Sequence, residues 1–370
     1  MPKKKLLTWF FSGCILLLMS LAIYQTFNYS SYQETIANIT KVTITNQENR
    51  QDEKQNTDTH YEQTLTLKIL NGSHRGETMT TINHYSQSQI SNHPYHKGNK
   101  VFVKINATTP NAVTIIDRKR DTALLILTTI FLIFLFMIAK KRGLFIFISL
   151  CLNSIIIGLL LIFYRQQPNN WLLPLIGLIS PLLILSTLFL LNGWSKKTQI
   201  AATATLIGTL CTFIIGYLVI TLLGHQGLHY EQMELITRPP QIIFLSSLLI
   251  GCLGGVMDIA VTITAALTEV KKHQPKISKA QLIQAGKSIG QEITGPMTNI
   301  MIFSYLSGAI PLIIIFLKNK MSFNYTFSIV LSLELARALV GSIGIVLAVP
   351  LTIYLASYWL GLKEGKIDVR

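Results

Sequence analysis

Apolar positions fall in eight long runs separated by short polar segments and one extended polar block. The runs are Leu6–Tyr24, Thr122–Ala139, Gly143–Tyr164, Trp171–Leu191, Ile200–Leu223, Ile242–Leu267, Gly295–Leu317 and Phe327–Trp359. Crossing a hydrocarbon core takes about 20 apolar residues in a helix. Backbone in lipid must satisfy its own hydrogen bonds, so such runs are helical. The pattern predicts a polytopic α-helical membrane protein of about eight transmembrane helices. The last run is longer than one upright span requires, so it is either one span or an interfacial helix followed by a span.

The polar block, residues 25–121, alternates instead with period two. Ile39–Thr45, Thr64–Leu70, Val101–Ile105 and Ala112–Ile116 read as half-buried strands, with turn signals at Asn71-Gly72 and Lys97-Gly98-Asn99. The polar stretch Gln47–Thr59 reads as a mobile loop. A small β-barrel or sandwich of about five strands is expected. The domain plan is therefore an N-terminal signal-anchor helix (1–24), a β-rich domain (25–121) and a seven-span domain (122–370) with its functional core at 251–352. The first run is read as a retained anchor, because Tyr24-Gln25-Thr26-Phe27 lacks a small-x-small cleavage site.

Charge changes the picture by setting orientation. The net charge is +15. With the first helix starting inside, the inner segments carry Lys3–Lys5, Lys140, Lys141, Arg142, Lys196, Lys197, Lys271, Lys272, Lys276, Lys279, Lys287, Lys363, Lys366 and Arg370. The outer loops between spans carry only Arg165, Arg238, Lys318 and Lys320. This positive-inside distribution predicts cytoplasmic termini and an extracytoplasmic 25–121 domain in a bacterial plasma membrane. It also argues against a nucleic-acid partner, which would need a basic stripe on one soluble face. Cys14, Cys151, Cys211 and Cys252 all lie within apolar runs, so no disulfide framework is implied.

Candidate chemistry concentrates in the last third. In the sixth run, Gly254, Asp258, Thr262, Ala265 and Glu269 share one helical stripe, and Gly251 and Gly255 form a small-xxx-small pair for close helix approach. A carboxylate at the depth of Asp258 is costly and marks either an ion path or a structural polar contact. Glu269, beside Lys271 and Lys272, suits the inner interface. The segment from Ser278 is amphipathic and is expected to lie along that interface. Gly295-Pro296 reads as a break or helix start at membrane depth, with Glu292 and Asn299 facing the same way across it. Ala285-Gly-Lys-Ser288 lacks the upstream glycine and strand of a phosphate-binding loop.

Glu334 and Arg337 stand one turn apart in the last run, which Pro350 is expected to kink. Two arrangements avoid an unpaired intramembrane charge. Arg337 pairs with Asp258, or Asp258 sits protonated or hydrated in a cavity lined by Thr262 and Asn299 while Glu334 neutralises Arg337. The second is the favoured expectation, from the i, i+3 spacing. His225 and His229, followed by Glu231 and Glu234, are read as an exposed, uncoordinated pair, and His93-Pro-Tyr-His96 as a turn. No metal set, cofactor signature or enzymatic constellation is found.

The segments Gly251–Ala260, Ile289–Asn299 and Glu334–Thr352 resemble the YibE/F family of bacterial multi-pass membrane proteins. That resemblance covers most of the chain and implies the same order of anchor, outer β-rich domain and spans. It departs at Gln291-Glu292, where the family tends to Arg-Asp, and at Gly295-Pro296-Met297, where the family tends to Gly-Thr-Met. The family implies no settled activity.

The leading expectation is a transporter or permease for an unidentified small solute or ion, with a polar intramembrane site around Asp258. The alternative is a non-transporting scaffold or envelope sensor displaying the outer domain, with an oligomeric or partner membrane subunit possible in either case. A weaker expectation, resting on the basic segment 278–294, is the membrane subunit of an ATP-driven exporter. The orientation is testable. A cysteine introduced at Asn56 is expected to react with an impermeant thiol reagent in intact cells, and one at Ser278 is not; the reverse pattern sinks the topology.

Overall fold

The structure, a computed structural model, describes residues 2–53, 55–89, 92–105, 113–233 and 238–361. Ala112, Glu234, Lys363, Lys366 and Arg370 lie outside the described residues. The chain forms two compact units, Met1–Leu144 and Phe145–Arg370.

The first unit contains helix α1 (Pro2–Gln25), strands β1 (Thr35–Gln51), β2 (Thr57–Ile69), β3 (Thr78–Ser86), β4 (Lys100–Ile105) and β5 (Val113–Arg118), and helix α2 (Asp121–Ala139). The strands form one antiparallel sheet in the order β3-β2-β1-β4-β5. Alternation puts Ala37, Ile39, Leu65, Leu67, Ile69, Val101 and Val103 into one core. At the edges, the Thr81 hydroxyl donates to the Val113 carbonyl at 2.6 Å, so the sheet curls until β3 meets β5. Among the described residues the two edge strands share no backbone ladder.

The polar stretch Gln47–Thr59 is the tip of a long β1–β2 hairpin, with Gln47 opposite Tyr61 and Gln51 opposite Thr57. Ladder hydrogen bonds need no apolar side chains, and polar cross-strand contacts such as Thr59 to Asn49 at 2.8 Å reinforce them. Strand β3 carries no apolar alternation in sequence, because Met79 points into the core and Ile82 to the exposed face, although its burial alternates along the strand. Its pairing with β2 supplies the missing signal, including a stacked Tyr61–Tyr85 pair 4.9 Å apart.

Below the sheet the chain ends meet in a polar junction. The Lys119 ammonium, its side chain 2% exposed, pairs with Asp121 at 2.7 Å. The Tyr32 hydroxyl donates to the same carboxylate, and Lys119 also sits over the Tyr32 ring. Burial, and then the Asp121 hydrogen bond, push the Tyr32 hydroxyl well above the usual tyrosine range. Thr122 donates to Thr26 at 2.9 Å, which ties the start of α2 to the end of α1.

The second unit is all helical: α3 (Lys141–Tyr164), whose first turn belongs to the first unit, then α4 (Leu172–Asn192), α5 (Lys196–Leu222), α6 (Pro240–His273), α7 (Lys279–Lys318) and α8 (Phe323–Gly361). Helices α2 to α8 are the seven long and apolar enough to cross a membrane among the described residues, while α1 contributes a shorter apolar stretch, Ser12–Gln25.

The amphipathic segment and the seventh run are one continuous helix, α7, opened by a capping box of Ser278 and Gln281. The expected break at Gly295-Pro296 is absent. Proline removes one backbone donor and leaves the rest of the ladder intact, and such residues are tolerated in membrane helices. The last run is likewise a single helix, which continues through Pro350.

Small residues set the contacts of this bundle. A Cβ on Gly208 would lie 2.8 Å from Val256, and one on Gly216 would lie 2.7 Å from Val340. Gly286 and Gly290 of α7 receive Ile353 and Val349 of α8. Gly286 of the Ala285-Gly-Lys-Ser288 segment is thus a packing glycine. Lipid tails are as apolar as leucine, so close van der Waals contact carries helix association.

The junction of the first unit yields a stability prediction. Lys119→Met strands a partly buried carboxylate and is expected to destabilise the first unit by on the order of 3 kcal/mol. Adding Asp121→Asn should recover much of that loss in thermal unfolding of the detergent-solubilised protein. Strictly additive effects would exclude the pairing.

Candidate functional site

The stripe of α6 read from sequence is the face that the bundle leaves open. Gly254, Asp258, Thr262, Ala265 and Glu269 are all exposed, whereas Val256, Ile259, Ala260, Ile263 and Leu267 are buried against neighbouring helices. The Asp258 carboxylate makes no hydrogen bond or ion pair with any described residue.

The glycine pair on the same helix fixes the register against α7. A Cβ at Gly251 would collide with the Tyr305 hydroxyl, and one at Gly255 would lie 2.6 Å from Met301 Cε. The methyl-thioether of Met301 also sits against Gly341 of α8, so it fills a notch made by two glycines. These contacts make α6 and α7 antiparallel neighbours, 251 beside 305 and 255 beside 301. Continued in steps of three and four, the register brings Asp258 to the level of Thr298, Thr262 to Thr294, and Glu269 to Lys287. The seam is packed tightly around Met301 and Tyr305 and turns polar on the other side of them.

The polar part is a groove with few closed contacts. Gln291 and Lys287 of α7 are exposed, and a Cβ added at Gly254 or at Gly295 would meet nothing within 4 Å. The Thr298 hydroxyl oxygen is buried without a partner, while Thr294 donates to the Gly290 carbonyl at 2.6 Å. Glu269 lies near Lys272 and His273, each at 3.8 Å, at the end of the groove. Glu292 and Asn299 are on exposed positions of α7, and neither contacts Asp258. The expected enclosure of Asp258 by Thr262 and Asn299 is replaced by an open seam.

Arg337 and Glu334 lie elsewhere, between α6 and α8. The guanidinium meets the Glu334 carboxylate at 2.5 Å, with side chains only 15% and 26% exposed. Its Nε donates to Ser247 at 3.2 Å, and its plane sits 5.1 Å from the Phe244 ring centre. Ser247 is about 10 Å along α6 from Pro240 at 1.5 Å per residue, which puts the pair inside the bundle. Arg337 is neutralised locally and does not reach Asp258. Tyr305 lies within electrostatic reach of both members of the pair.

Sequence reading missed Met301, Tyr305, Thr294, Thr298, Ser247 and Phe244. Met301, Tyr305, Thr294 and Thr298 lie on one helical row that also contains Gln291 and Lys287, a signal that was available. Ser247 and Phe244 had none, because a serine and a phenylalanine in an apolar run are ordinary.

The histidine pair separates. His225 Nδ1 meets the Tyr230 hydroxyl at 2.8 Å and His229 Nδ1 meets Glu231 at 2.7 Å. A backbone hydrogen bond and then His229 hold the Glu231 carboxyl below its usual range. No group of three or more metal-ligating side chains occurs among the described residues.

The family model described as YibE/F-like protein matches residues 127–362, and the YibE/F family N-terminal domain matches residues 30–118. The chain belongs to the YibE/F family. Neither the curated proteins nor the solved structures contain a match to it. The first family segment covers the groove, the Met301 notch and the buried ion pair of this YibE/F protein, and the second covers its sheet.

The ion pair can be tested by a double-mutant cycle. Arg337→Ala alone is expected to cost on the order of 3 kcal/mol, because it strands Glu334, and Glu334→Gln should restore part of it. Asp258→Ala and Arg337→Ala should add without coupling. A coupling between Asp258 and Arg337 would overturn the arrangement described.

Proposed function

We propose that this protein is a plasma-membrane permease that moves a small cation or protons along the α6–α7 seam, with Asp258 as the charge-handling group. The reading is carried by one observation: a carboxylate within a membrane-length helix has no protein partner and stands on an uncovered polar groove. An ionised carboxylate facing lipid is costly, so water, an ion or a proton must satisfy it. Thr262, exposed on the same stripe, supplies a neutral oxygen ligand at a neighbouring level. Met301, seated against Gly255 and Gly341, and Tyr305 above Gly251 close the seam beyond Asp258. A groove open on one side and packed on the other suits alternating access. In the orientation proposed from charge, with both termini cytoplasmic and residues 25–121 outside, the open side faces the cytoplasm.

A second reading, a non-transporting scaffold or sensor, draws on the Tyr32–Lys119–Asp121 junction that fixes the sheet to its flanking helices. In that case a partner subunit covers the stripe.

One substitution separates the two. In liposomes loaded with a pH-sensitive dye or a monovalent-cation indicator, Asp258→Asn should cut flux at least tenfold, equivalent to about 1.4 kcal/mol, at unchanged abundance. Unchanged flux, or no flux in the wild type across protons and monovalent cations, removes the permease reading in this form.

A further inference from the structure

One end of the helical unit gathers lysines. Gly216 meets Val340 and Gly344 meets Thr212, so α5 and α8 run antiparallel. Gly286 meets Ile353 and Gly290 meets Val349, so α7 and α8 do the same. The starts of α5 and α7 therefore lie at the same end as the closes of α6 and α8. Most cations there are engaged. Lys272 and His273 face Glu269, each at 3.8 Å, and Lys271 donates to the Ile277 carbonyl at 3.4 Å. Lys276 and Lys279 are exposed, and neither meets an acidic side chain among the described residues.

Aromatic rings stand beside these two ammonium groups. Lys279 Nζ lies 5.6 Å from the centre of the Tyr358 ring. Tyr354, Tyr358 and Trp359 at the close of α8 are 58%, 53% and 37% exposed, and Trp194 just before α5 is 79% exposed. Tyrosine and tryptophan favour the level of lipid headgroups, where one edge of the ring is apolar and the other wet. The aromatic residues of α8 also continue a stripe. Leu339, Ile343, Val346, Pro350, Tyr354 and Tyr358 follow at steps of three and four, and all are exposed.

The stripe has the dimensions of a lipid. Val346 lies next to Gly344, which meets Thr212 near the middle of α5. From Val346 to Tyr358 the helix advances about 18 Å, close to the roughly 20 Å depth of one leaflet with its headgroups. Apolar side chains, then aromatic rings, then free ammonium groups follow in the order of acyl chain, ester region and phosphate. Soluble phosphate would use the ammonium groups alone, and an acidic peptide would gain nothing from the apolar part.

We propose that this corner of α7 and α8 binds an anionic phospholipid, with an acyl chain along Val346 and Pro350, the ester region against Tyr354 and Tyr358, and the headgroup phosphate on Lys276 and Lys279. The site needs the helical unit to span a bilayer and does not depend on the permease reading.

Trp359 provides a local readout. The full-length protein is reconstituted in phosphatidylcholine liposomes that carry a fixed share of phosphatidylglycerol or phosphatidylcholine brominated on the acyl chains. Both leaflets have the same composition, so the direction of insertion does not matter. Bromine quenches indole emission at short range, and the Trp359 signal is the difference between the wild type and Trp359→Phe. The association constant of brominated phosphatidylglycerol at Trp359 is expected to exceed that of brominated phosphatidylcholine at least about fivefold, the effect of one lysine near an anionic lipid. Lys276→Gln with Lys279→Gln should bring the ratio close to one. Lys272→Gln with Lys287→Gln removes the same charge from exposed positions of α6 and α7 away from Tyr358, and should leave the preference in place. Equal quenching by the two lipids, a preference that survives Lys276→Gln with Lys279→Gln, or an equal loss in the Lys272→Gln, Lys287→Gln protein would each overturn the proposal.

Discussion

Close helix approach through glycine is the constraint on which the helical unit depends. Without a hydrophobic difference between lipid and leucine, α5 to α8 gain by bringing backbones near one another. Each pair has its own notch: Gly208 with Val256, Gly216 with Val340, Gly290 with Val349, and Gly344 with Thr212 and Val256. These contacts bury one flank of α6 and leave the opposite flank, with Asp258, on an open seam. The candidate site follows from the packing of residues that do not belong to it.

The two charge systems of that unit answer the membrane differently. Arg337 is held by Glu334, Ser247 and the face of Phe244, a set that leaves no net charge to hydrate. Asp258 has no comparable set. A carboxylate can shed its charge by taking a proton, whereas a guanidinium cannot, so only the former can be left unpaired. The first unit also neutralises its cation locally, with Lys119 buried on Asp121 under Tyr32.

Much of this was legible along the chain. Seven helices fell where apolar runs predicted them, because lipid forces backbone into helices once a run is long enough. Strands β1, β2, β4 and β5 were marked by alternation, and the stripe of α6 by its 3.6-residue period. The Gly251 and Gly255 pair was read as a helix-approach site, and Tyr305 and Met301 occupy it. Errors came at the β1–β2 tip, which is polar yet regular because hydrogen-bonded backbone tolerates polar side chains wherever water is near, and at Gly295-Pro296, through which α7 runs unbroken.

Periodicity along the chain marks most of the helices and strands and the residues that share a face, since local periodicity and the hydrogen-bonding demand of the bilayer are properties of short segments. Only the tertiary structure decided which face is covered. It gave Arg337 to Glu334, set Met301 against Gly255 and Gly341, and left Asp258 on an open seam. Each of those outcomes depends on which distant helix supplies the neighbour, and a helix period carries no record of its partner.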